Sequence, residues 1–132
     1  MNHRRTLQAA GILGALAVGL GAFGAHWLRD FLLERGTANS WETAVRYHLL
    51  HSFGLLCVAI WQRHSPLPWL TRLGWISWLW VVGILLFSGS LYGLALGGPR
   101  WLGPVTPLGG LAFIGGWILI FVTGLSEKKN AD

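Results

Sequence analysis

Apolar residues fall into four long runs along the chain, at 7–25, 47–61, 73–97 and 105–125. The first, third and fourth hold no charged residue, and each is near the ~20 residues that a helix needs to cross a bilayer. With their flanks they predict spans of about 7–27, 42–62, 73–97 and 104–125 within a single domain, residues 1–132. Little chain is left over, so the expected fold class is all-α: a polytopic membrane protein built as a four-helix up-down transmembrane bundle.

The connections support this reading. Between the first two runs, Leu28, Phe31 and Leu32 share one face at helical spacing, with Arg29, Asp30, Glu34 and Arg35 around them. An interfacial helix over 28–36, closed by Gly36, or an irregular polar loop would both fit. Asn39 or Ser40 is placed to cap the second spanning helix, with Glu42 in its first turn and Arg46 four residues on. Pro66 and Pro68 stop that helix from running into the third, and Gly98, Pro99 and Arg100 make a second tight link. The tail from Glu127 to Asp132 is expected to fray.

Composition agrees: 53% of residues are hydrophobic and only 11% charged, about half the charge of an average soluble domain. The net charge of +5 sits in flanking residues and forms no stripe, which argues against nucleic acid. Met1–Arg5 before an apolar run resembles a signal peptide, and Ala22, Gly24 and Ala25 would suit cleavage. The run nevertheless exceeds the ~7–15 residues of a signal core, so an uncleaved anchor is expected. Six cations (Arg4, Arg5, Arg63, Arg72, Lys128, Lys129) fall on the side of the termini and four (Arg29, Arg35, Arg46, Arg100) on the other. By the positive-inside rule both termini are cytoplasmic if the membrane is a bacterial inner membrane. Trp27, Trp41 and Trp101 would mark one interface, and Trp61, Trp69 and Trp75 the other. Cys57 is the only cysteine, so no intrachain disulfide forms, and its position inside a span suits a small buried hydrophobe.

Nineteen glycines would weaken soluble helices, but in lipid they let backbones approach. Small residues recur four apart at Gly11, Ala15 and Gly19, at Ala17, Gly21 and Ala25, and at Gly89, Gly93 and Gly97. With Gly24, Gly109, Gly110 and Gly116 they are the candidate helix-packing residues, either within one chain or between copies.

The polar residues inside the spans collect in one half of such a bundle: His26, Thr43, Tyr47, His51, Ser88, Ser90, Tyr92 and Thr106. With cytoplasmic termini this is the outer half. Thr43, Tyr47 and His51 share a helix face, and His51 lies ~8 Å deeper than Arg46 from the helical rise. His51 either bonds Ser88, Ser90 or Tyr92 and simply locks helices together, or belongs to a functional site. His48 and His51 can both reach one metal, but His26 is the only further ligand, and sites usually take three or four. No metal or other cofactor is expected. Ser88 and Ser90 lack a nucleophile elbow, and no Asp or Glu lies in a span to orient a histidine, so no catalytic residue is assigned and no enzyme is expected. A His26–His51–Tyr92 proton relay has no inverted repeat to support it.

In order along the chain stand Gly21-Ala22-Phe23-Gly24-Ala25-His26, then Thr43, Tyr47 and His51, then Leu86-Phe87-Ser88-Gly89-Ser90-Leu91-Tyr92, then Thr106-Pro107-Leu108-Gly109-Gly110 with Gly116-Trp117. This set resembles the YgdD-like small membrane proteins, a family of unknown function of the UPF0382 or DUF423 type. The resemblance implies a bacterial inner-membrane protein of four helices without an assigned activity. It also implies Tyr-Gln-x-x-His in the second span, from which His48 departs, leaving His26 and His51 as the matching histidines.

The leading expectation is a non-enzymatic interaction or accessory protein, or a lipid-binding bundle. Its partners would be membrane lipids and either copies of itself or other membrane proteins. The alternative is a small transport or proton-conducting component using the outer-leaflet His/Tyr/Ser cluster.

Overall fold

The computed structural model describes residues 1–129. Its α-helices are α1 (His3–Ala25), α2 (Arg29–Glu34), α3 (Ala38–His64), α4 (Leu67–Gly83), α5 (Gly89–Ala95) and α6 (Val105–Lys129). A π-helical turn, Ile84–Ser88, joins α4 to α5 as one rod, and a 3-10 turn at Arg100–Leu102 leads into α6. Among the described residues, four rods are long and apolar enough to cross a membrane: His3–Ala25, Ala38–His64, Leu67–Ala95 and Arg100–Leu125. The chain is an all-α polytopic membrane protein. Of the tail expected to fray, residues 127–129 continue α6, and those beyond Lys129 lie outside the described residues.

Local chemistry sets the helix ends. Asn2 caps α1, its side-chain oxygen accepting the Arg5 N–H at 3.0 Å. Gly36 (φ +66) and Gly97 (φ +89) take the left-handed conformation that turns the chain after α2 and α5. Pro66 precedes α4 and Pro68 lies in its first turn. The cap expected at Asn39 or Ser40 is corrected. The N-cap of α3 is Thr37, and its hydroxyl donates to Ala95 O at 3.0 Å instead of capping. That bond ties the start of α3 to the end of α5.

Packing is unequal among the rods. α1 lies along α3, α4 and the π turn lie along α6, and α3 joins the two pairs through α4, the π turn and α5. In its most apolar stretch α3 is 39% enclosed by the protein and α1 only 11%, so α1 is the edge of the bundle.

Glycines seat aromatic rings on the inner faces. Trp80 is wedged between Gly54 of α3 and Gly116 of α6, and its indole N–H donates to Phe113 O at 3.3 Å. Gly24 receives the Trp41 indole, Gly83 the Phe113 ring, and Gly109 lies on the Phe87 backbone. Trp41 was expected at an interface; it is buried, 3% exposed, with its N–H on Leu20 O at 3.1 Å. Trp27 and Trp101 do stand exposed at that end, at 83% and 66%. Cys57, expected to be buried, is exposed on the outer face of α3.

The repeating stripes divide between inward and outward faces. Gly11, Ala15 and Gly19 are exposed, and a methyl group on Gly11 or Gly19 would meet nothing within 4 Å. The face of α1 that packs inward is instead Thr6, Ala10, Ala17, Gly21 and Gly24, at spacings of three, four and seven residues. A methyl on Gly21 would come within 3.2 Å of Val45, while Ala25 is exposed. Gly89 also faces open space. A methyl on Gly93 would meet Leu102 at 2.7 Å, and one on Gly110 would touch Phe87 at 3.8 Å.

Candidate functional site

Facing polar residues come together where α3 meets the π turn and α5, in the half of the bundle nearer α2. A π turn adds one residue to the helical path and rotates the helix beyond it. Ile84, Ser88 and Ala95 are thereby buried on one line toward α3, with Tyr92 half-buried between the last two. Trp41 and His48 both pack against the Tyr92 ring, and Tyr47 packs against Phe87 at 4.7 Å. These contacts set His48 level with Tyr92.

His48 is 4% exposed and Ser88 is fully buried. The His48 Nδ1 lies 3.3 Å from the Tyr92 hydroxyl, but its Nε2 and the Ser88 Oγ are buried without a hydrogen-bond partner. Such groups are uncommon, each costing ~1–3 kcal/mol, and they mark a site better than satisfied ones. Ser90 and Thr106 form a closed pair beside them. Their oxygens are 2.6 Å apart, and the Ser90 hydroxyl donates to Phe87 O at 3.0 Å.

His51 does not bond Ser88, Ser90 or Tyr92. Its Nδ1 lies 2.8 Å from Tyr47 O, which as a carbonyl can only accept, so this nitrogen carries the proton. The Nε2 then accepts the Trp117 indole N–H at 3.2 Å. The ring stacks on Phe113 at 3.6 Å and 11° and meets Trp80 edge-on. Both nitrogens are used, so His51 is a packing element joining α3 to α6. His26 is corrected too: it is exposed at the end of α1. Thr43 is half-buried and Tyr47 is 40% exposed. Among the described residues no three or more His, Cys, Asp or Glu gather to hold a metal ion.

A second polar set, missed by reasoning from one cluster, ties the other half together. Thr6 Oγ1 lies 3.1 Å from Ser77 Oγ, Gln62 Nε2 donates to Met1 O at 3.0 Å, and the His3 ring lies 2.9 Å from Ala59 O. Trp80, Phe113 and Trp117 were also missed. Their signal was available: a tryptophan in mid-span, away from either interface, must bring a partner for its N–H.

On the outer side, α1 and α3 leave a groove of about 300 Å³. Ala10, Gly11 and Gly14 line it on α1, and Phe53 and Leu56 on α3. It is almost wholly apolar, and the exposed Gly11 borders it.

The family model described as "Protein of unknown function (DUF423)" matches residues 20–110. The UPF0382 membrane protein YwdK of Bacillus subtilis is 45% identical over 119 residues, covering 86% of this chain and 94% of its own. The UPF0382 inner membrane protein YgdD of Escherichia coli is 37% identical over 132 residues, 98% and 96% of the two chains. A UPF0382 membrane protein of Schizosaccharomyces pombe is 37% identical over 120 residues, 87% and 97%, so such relatives are not confined to bacteria. No solved structure matches significantly.

The orphaned hydroxyl allows a test by deletion. Ser88→Ala removes a buried group that has no partner, and is expected to leave thermal stability in detergent unchanged or raised by about 1 kcal/mol. Ser90→Ala breaks the pair with Thr106 and is expected to cost about 1 kcal/mol. A larger loss for Ser88→Ala than for Ser90→Ala, measured by thermal unfolding, would reject the assignment.

Proposed function

The chain belongs to the DUF423 family of membrane proteins of unknown function, and from that premise we propose that it works by binding rather than by catalysis. It is an interaction protein that docks an apolar partner helix in the groove between α1 and α3.

The groove is the observation that carries this reading. Ala10, Gly11 and Gly14 line it among larger apolar side chains, and small residues let two helix backbones approach within van der Waals reach, which is what drives association in lipid. α1 is the rod least used by its own bundle, and its Gly11, Ala15 and Gly19 stripe continues beside the groove. The absence of catalysis is supported by His51, whose two nitrogens are both committed, and by the exposure of His26. A second reading, proton conduction, draws on the unpartnered His48 Nε2 and Ser88 Oγ rather than on the His26 and His51 relay.

The setting we propose is a bacterial inner membrane with both termini in the cytoplasm, supported by the six-to-four excess of Lys and Arg on the side of the termini. A C-terminal alkaline phosphatase fusion, active only outside the cytoplasm, should then stay silent.

Docking is tested by a photo-reactive residue in place of Phe53, which is 65% exposed beside the groove. In native membranes it is expected to yield a discrete protein–protein adduct, to a second copy or another protein. Gly11→Leu fills open space, so it should keep the fold and abolish the adduct. Crosslinks to lipid alone would overturn the proposal.

A further inference from the structure

A second cavity lies at the α2 end of the α1–α3 seam, about one turn beyond the groove. It measures about 550 Å³ and is enclosed by the end of α1, by α2 as a cover, and by the first turns of α3. Volumes of this size hold small ligands. Gly21 and Gly24 line it on α1, and Leu33 and Val45 make apolar walls.

Three charged side chains line it: Arg29 from α2, and Glu42 and Arg46 from α3. Two cations from separate elements therefore face one space against one carboxylate. Arg46 stands eight residues into α3, ~12 Å along its axis from the first residue. Glu42 stands one turn before it on the same helix, so the lining keeps one cation in excess. Exposed Trp27 and Trp101 lie at the same end, where such rings mark the headgroup level of a bilayer.

We propose that this cavity is a phospholipid headgroup site. Arg29 and Arg46 bind the phosphodiester, for which guanidinium groups are shaped to make paired hydrogen bonds. Glu42 accepts from a hydroxyl or ammonium of the headgroup, and Leu33 and Val45 contact the glycerol and first methylenes. The net positive lining selects an anionic group, and the apolar walls distinguish a lipid from a free anion. The cavity lies on the same α1–α3 seam as the partner-helix groove, about one turn nearer α2, and the two share no lining residue.

Native mass spectrometry of the full-length protein provides the test, with dioleoylphosphatidylglycerol as the probe. One lipid per chain is expected to bind, and Arg29→Gln with Arg46→Gln to weaken it at least about tenfold, the scale of a lost charged hydrogen bond. Both arginines are exposed, and circular dichroism checks that the double variant keeps its helices. Dioleoylglycerol, with the same tails and no phosphate, should bind at least about tenfold more weakly. Equal binding of dioleoylglycerol, or unchanged binding by the double variant, would overturn the proposal. Displacement of the lipid by millimolar inorganic phosphate would reassign the cavity to a soluble anion and overturn it equally.

Discussion

The wedge of Trp80 between Gly54 and Gly116 is the contact on which the bundle depends. Lipid supplies no hydrophobic force between helices, so association must come from close packing and from hydrogen bonds. A single indole meets both needs, touching α3 on one side and α6 on the other while its N–H bonds Phe113 O. The Phe113 ring in turn lies on Gly83 and under His51, and His51 bonds Trp117. Three of the four spanning rods are thus held by one connected set of rings, of which Trp80 and Phe113 are seated where a neighbour has no side chain. Any Cβ in those seats would displace an aromatic ring, a change that costs about 1–3 kcal/mol in a packed interior.

The four spans were legible because lipid tolerates few charges across a run of that length, and the runs stand clear in the chain. The helix-packing faces were not legible in the same way. Spacing of four is satisfied by Gly11, Ala15 and Gly19 as well as by Ala17 and Gly21, and only the position of α3 decides which turns inward. Ring seats were harder still, since Gly54 and Gly116 matter through Trp80, a residue distant from both in sequence. The polar cluster shifted for two reasons. The π turn moves Ser88 onto the buried line, and contact with Tyr92 falls to His48, one turn nearer α2 than His51. His26 shares the right half of the membrane but lies on an edge helix, at its exposed end. Depth can be read from topology; facing cannot.

The same physics separates the polar groups that are satisfied from those that are not. His51, Ser90 and Thr106 are satisfied by their neighbours and lock rods together. His48 and Ser88 retain buried atoms without partners. At the surface, α1 offers a small-residue groove, and the α2 end gathers two arginines over apolar walls. These features describe a membrane protein with a rigid aromatic centre and open surfaces at its edge.

The central claim is that a ring seated on glycines holds the rods together, and a double-mutant cycle between Gly116→Ala and Trp80→Leu tests it. Reversible unfolding would be measured in bicelles, with Gly19→Ala as the control. If the indole occupies the seat, the added methyl is costly with Trp80 present and nearly harmless without it, giving a coupling of about 1 kcal/mol or more. Gly19→Ala should show no coupling to Trp80. Additive effects of Gly116→Ala and Trp80→Leu would mean that ring and glycine do not meet, and would contradict the account.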